Sequence, residues 1–173
     1  SLFVLCGSLP GCGSLGNLAA GIIDRSTALV GMGPNEVKSV GVFVTKDAPQ
    51  HATVAEIVFA YSDASVAVVS GSSFEQWFDN REGYCFAYGN EMDVVRIELP
   101  RGYSAAVNDL PDGHNLARVV HIFVQNVGQY DLTKLKTPWI TVLDQKLNVG
   151  TTPSPVLKKP GSMETTKGIV QPC

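Results

Sequence analysis

Cys6–Gly16 (CGSLPGCGSLG) holds Gly11, Gly13 and Gly16 at the G-x-G-x-x-G spacing that lets a backbone cradle a dinucleotide pyrophosphate. Such a loop needs a strand running into its first glycine and a helix N-terminus facing the phosphates. Here Pro10 precedes Gly11, and the candidate helix Asn17–Ser26 is short and interrupted by Gly21. Asp24 stands too early for the ribose acid, and Glu36 follows Gly-Met-Gly-Pro rather than a strand. The stretch reads as a glycine-kinked segment pressed against other backbone, not as a phosphate loop.

A second set is Ser104, Asp109, Asp112 and His114, which by residue type could form a hydrolytic triad. The chain has no G-x-S-x-G elbow, and Asp-Gly before His114 is ordinary turn vocabulary. His121 sits in mid-strand and reads as an interior or interface histidine. Cys85, between Tyr84 and Phe86, reads as a packed thiol in a strand rather than a nucleophile. Metal binding fares no better. The four cysteines, at 6, 12, 85 and 173, include no Cys-x-x-Cys pair and lie far in sequence from His51, His114 and His121. Glu75, Asp79 and Glu82 recur at near-helical spacing, which a solvated helix face explains. Trp77, Phe78, Tyr84, Phe86 and Tyr88 form an aromatic cluster that suits core packing or a sugar-stacking platform. No residue is assigned to catalysis, to a metal or to a cofactor.

Behind these residues stands a chain of 173 residues, 45% hydrophobic, with a formal net charge of −3. That composition is globular rather than disordered. No apolar run approaches the ~20 residues of a membrane-spanning helix. Leu2–Leu5 is too short for a signal-peptide core and has no basic residues ahead of it, and the start at Ser1 fits a processed product. Basic residues are scattered, with only Lys134/Lys136 and Lys158/Lys159 close together, which argues against sequence-specific nucleic-acid recognition.

Most of the chain reads as strands: 40–45, 53–61, 65–70, 92–99, 118–125 and 139–143, separated by Pro, Gly, Asn and Asp turns such as Asn108–Asn115. Val95, Ile97 and Leu99 share one strand face, and with Val120, Ile122 and Val124 they are expected to point inward. Helix signals are few: a capping box at Ser72–Glu75 opening a short helix through Asp79, and one turn over 131–136. This pattern predicts an all-β antiparallel sandwich over 40–150. A glycine-rich N-terminal segment, 1–39, precedes it and an extended C-terminal arm, 151–173, follows. Four prolines hold the arm extended. Its ordering needs burial outside the segment, with Val156, Leu157, Ile169 and Val170 as apolar anchors.

The order of short strands, a single capped helix, "IELPRG", a long turn, "ARVVHIFVQN" and "PWITVL" resembles a jelly-roll coat protein of small icosahedral, picorna-like positive-strand RNA viruses, plant viruses among them. The resemblance implies a structural capsid subunit, not an enzyme. It would assemble with copies of itself or sister coat proteins into a shell around the genome, its arm docked on neighbouring subunits. Weak contact with packaged RNA, no membrane insertion, a virion location after assembly in the host cytoplasm, and a free, buried Cys85 thiol follow from it. Beside it stand a lectin-like binding module, and a serine or cysteine hydrolase using His114.

Overall fold

Ala52–Ala60 (β2) is nine residues long and carries one charge, Glu56. Flanked on both sides and covered on both faces, it is the middle strand of a five-stranded sheet. A computed structural model describes residues 34–48, 52–152 and 169–173 of the chain. The other strands are β1 (Val40–Val44), β3 (Met92–Pro100), β4 (Ser104–Val107), β5 (Val119–Val124), β6 (Gly128–Asp131), β7 (Trp139–Val142), β8 (Leu147–Gly150) and β9 (Ile169–Pro172). Two sheets result, ordered β4-β1-β7-β8 and β6-β5-β2-β3-β9.

Period-two alternation decides what each strand face touches. Ala55, Ile57 and Phe59 of β2, Val95, Ile97 and Leu99 of β3, and Val120, Ile122 and Val124 of β5 join one core. Val40, Val42, Val44, Ala105, Val107, Ile140 and Val142 meet them from the smaller sheet. The inward faces expected for 95–99 and 120–124 are therefore observed. The mostly-β, two-sheet architecture also agrees with the sequence, with one departure from an antiparallel sandwich. β1 runs parallel to β7, Gly41 opposite Trp139, and a Cβ at position 41 would collide with the Trp139 indole.

The opposite face of the five-stranded sheet would be wet in a plain sandwich. Here Val58, Ala60, Met92, Val94 and Phe123 lie under two helices, α1 (Asp63–Gly71) and α2 (Phe74–Tyr88). The strand expected at 65–70 is part of α1. Its valines gave a short apolar run whose periodicity fits either state. Ser62 settles the matter: its hydroxyl accepts from the Ser65 amide while the Ser65 side chain caps the Ser62 backbone. The helix expected to stop at Asp79 runs through Gly83 to Tyr88, capped by Ser73 and Gln76, so Cys85 is helical. Residues 132–137 make turns rather than a helical turn.

Where the chain ends is the other correction. β9 pairs antiparallel with β3, Ile169 opposite Arg96 and Val170 opposite Val95, and Cys173 forms a disulfide with Cys85. The last residues thus add a strand to their own domain and are stapled to α2. Gly89 makes room for this: a Cβ there would lie 2.8 Å from the Cys173 carbonyl oxygen. The free thiol expected at Cys85 is replaced by a cross-link spanning 88 residues of sequence.

Cross-links across long loops typically contribute about 2–4 kcal/mol. Cys85→Ser and Cys173→Ser should each lose about that much in urea denaturation. A dithiol reductant should weaken the native chain equally and leave both variants unchanged. Native stability indifferent to reductant would refute the cross-link.

Candidate functional site

The helix-covered face of the five-stranded sheet holds the fully buried carboxylate among the described residues. Glu56 points from β2 into this layer and is fully buried. Sheet register places Arg96 of β3 directly opposite it. Helical spacing places Trp77 and Arg81, four residues apart, above it on α2. Arg96 donates an Nη1–H to Glu56 Oε1 at 2.7 Å. Arg81 Nε reaches both carboxylate oxygens at 2.9 Å, and Trp77 Nε1 donates to Oε2 at 2.9 Å. Trp77 also stacks on Phe123, ring centroids 4.8 Å apart, and on Tyr84 at 5.8 Å. A buried carboxylate is tolerable only with such partners. Here the partners sit on three elements, so the ion cluster bolts α2 to the sheet. Its acceptor atoms are spent in doing so, and the arrangement is structural rather than catalytic.

The residues singled out in the sequence scatter. His114 Nδ1 lies 3.0 Å from the Pro111 carbonyl, to which it donates, and its ring meets Phe59 edge-on. Asn35 anchors the same loop by donating to the His114 and Ala117 carbonyls. Ser104 opens β4, whereas the loop bearing Asp109, Asp112 and His114 leaves from its other end, at Val107. The structure does not bring a triad together. Trp77, the centre of a possible sugar platform, is fully buried. Among the described residues no group of three His, Cys, Asp or Glu is arranged to hold a metal. Ile169 and Val170 lie in β9; Val156, Leu157, His51 and Cys6–Gly16 fall outside the described residues.

His121 faces the helix layer beside Phe123, and its Nδ1 is buried without a hydrogen-bond partner. Burial lowers its pKa, opposed by the charge of Asp131. The carboxylate is 3.9 Å from Nε2 and largely exposed, too weakly placed to hold a proton on the ring. Asp131 is itself engaged by the Thr133 amide and hydroxyl. On the inter-sheet side, just past β2, the Tyr61 hydroxyl donates to Asp93 at 2.6 Å, and at the start of α1 Ser62 donates to Glu91. Burial, then Asp93, raise the Tyr61 pKa far above the ordinary phenol value, so it is neutral.

The remaining candidate is a surface. Phe86, near the end of α2, is 95% exposed, next to the Cys85–Cys173 cross-link. A shallow polar cleft lies beside it, lined by Cys85–Glu91 and Cys173. Sequence reasoning placed Phe86 in a packed cluster because a strand was assumed. It also passed over Glu56, whose signal was a lone carboxylate inside the apolar run TVAEIVFAY.

No protein-family model and no curated protein matches this sequence. Solved structures that it resembles include the T6SS lipoprotein TssJ1 from Pseudomonas aeruginosa, at 12% identity over 69% of this chain and 97% of that one, TM-score 0.49. Lip from Serratia marcescens, a membrane-bound component of the type VI secretion system, aligns at 11% identity over 68% of this chain and 98% of that one, TM-score 0.47. The C-terminal domain of the T6SS protein TssM from EAEC aligns at 13% identity over 67% and 97%, TM-score 0.47. At this degree of likeness no role passes from them to this chain. These neighbours are secretion-system proteins, not viral coat proteins, and the coat-protein expectation is corrected accordingly. Its capsid-subunit and packaged-RNA partners, its arm on neighbouring subunits and its virion location go with it. The parallel β1/β7 pair, the cross-link and the return of β9 to its own sheet disagree with that expectation independently.

Glu56→Ala would strand two guanidinium groups and the Trp77 N–H, a loss of about 3–5 kcal/mol for a broken buried pair. Chemical denaturation should register it, and a loss below about 1 kcal/mol would mean the cluster is ornamental.

The unfolded chain binds a proton at His121 near its ordinary value of 6.5, whereas the folded chain resists it. The unfolded state then binds more protons, so this group's stability is fully present above 6.5 and lost as pH falls below it. His121→Phe should flatten the fall in denaturation midpoint below 6.5. An unchanged slope would show that His121 is not the group responsible.

Proposed function

We propose that this chain is an exported, non-enzymatic binding domain held at a membrane surface by lipid attached to Cys12. The Cys85–Cys173 cross-link carries the reading, since disulfides form and persist in oxidising compartments outside the cytosol. The sequence before the domain supports it. Leu9-Pro10-Gly11-Cys12 has an aliphatic residue three positions before a cysteine and glycine immediately before it. This is the pattern at which exported precursors are lipidated and cut. Cys12 Sγ takes a diacylglyceryl group from a phospholipid as a thioether, the headgroup phosphate leaves, and the Gly11–Cys12 peptide bond is hydrolysed. Two acyl chains anchor a protein stably where one holds it only marginally.

The interior polar groups suit such a domain. Glu56 is consumed in fixing α2, and the His114 Nδ1–H donates a hydrogen bond to the Pro111 carbonyl. What is offered outward is a rigid layer displaying Phe86. Neither the jelly-roll connectivity nor a C-terminal arm reaching other subunits belongs to this reading.

Expression of the full precursor in bacteria with labelled palmitate tests it. Label should enter the mature chain, which should sediment with membranes, and Cys12→Ser should abolish both. An unlabelled native chain, or membrane attachment that survives Cys12→Ser, would overturn the reading.

A further inference from the structure

Resting on that reading of an exported binding domain, we propose that the outer face of α2 is a docking surface for a cationic segment of a partner protein. At 3.6 residues per turn, Glu75, Asp79, Glu82 and Phe86 fall within about 60° of one another around the helix. All four are exposed, Phe86 almost completely. They form one stripe along three turns of α2, three carboxylates leading to an aromatic ring. Gly83 and Ala87 flank Phe86, so the ring stands proud of its surroundings.

Glu75, in the first turn, suits the helix dipole, but Asp79 and Glu82 do not serve the helix that carries them. Like charges three and four residues apart repel. Glu82 lies in the half of the helix where a cation would be favoured, and the last turn has no basic residue. The only cation on α2, Arg81, is turned inward to Glu56. Among the described residues, no ion pair reaches Glu75, Asp79 or Glu82. Three uncompensated carboxylates beside an exposed phenyl ring are complementary to a segment carrying Lys or Arg at matching spacing, with an apolar residue to cover Phe86.

The sign of the charge selects this occupant over the others. A second copy would present the same negative stripe, and an anionic bilayer would repel it. The stripe is also held still from behind by the Glu56 cluster and the Cys85–Cys173 cross-link. A pre-organised face loses little entropy on binding, and an aromatic anchor ringed by charge is a common hot-spot arrangement. Acidic steering makes such association salt-sensitive.

Amide chemical shifts of the isotope-labelled full chain read the outcome, with an amphipathic Lys/Leu peptide as probe and its Glu/Leu counterpart as control. The Lys/Leu peptide should shift α2 amides, more weakly as salt rises, and the control should shift none. Affinity should fall at least tenfold in Phe86→Ser and in the Glu75→Gln/Glu82→Gln pair. These exposed positions leave the fold intact, which unchanged β2 amides verify. Shifts elsewhere than α2, equal affinity in Phe86→Ser, or a concentration-dependent dimer dissolved by Phe86→Ser would each overturn the proposal. None of these variants touches Cys12, so palmitate labelling separates failure here from failure of the lipid-anchored reading.

Discussion

Glu56 is the point on which the architecture turns. A carboxylate with no solvent access would be prohibitively costly alone, so three partners must converge on it. Arg96 arrives by sheet register, and Trp77 and Arg81 arrive by helical spacing. Satisfying one buried anion thereby fixes the position and rotation of α2 above β2 and β3. With α2 so rotated, Trp77 is stacked on Phe123, Cys85 faces the chain terminus, and Glu75, Asp79, Glu82 and Phe86 face water. The outer surface is a consequence of the inner constraint.

The cross-link closes the same layer from its far end. β9 alone is a four-residue edge strand, the kind of element that frays. Tying Cys173 to the last turn of α2 makes strand and helix mutually dependent, with Gly89 providing the clearance. Edge strands also invite pairing with foreign chains, and β9 covers the edge that β3 would otherwise expose.

The two-layer core was legible because its signal is strict alternation. Val95-Arg96-Ile97-Glu98-Leu99 admits one face assignment, and the structure keeps it. The helical layer was obscured for local reasons. Val66, Val68 and Val69 are β-branched, and only the Ser62–Ser65 caps, which lack the usual Glu or Gln, mark a helix start. Gly83 is a poor helix former in mid-helix, and tertiary packing of Trp77, Tyr84 and Tyr88 overrides it. Reading the stretch around Cys85, the second half of α2, as a strand makes Cys85 an interior thiol and Phe86 a core residue. A disulfide pairing joins residues 88 apart, and no local pattern encodes it. The missed Glu56 was visible in the sequence, but its partners depend on register and helix placement that the sequence does not state.

If Glu56 and the cross-link together make α2 a fixed part of the domain, the helix opens only when the whole domain opens. Native-state amide hydrogen exchange of the oxidised full chain measures this directly. The amides of Trp77–Cys85 should exchange with protection matching β2, both tracking global unfolding as denaturant is added. Exchange of that segment through low-energy local openings, while β2 stays protected, would contradict the account.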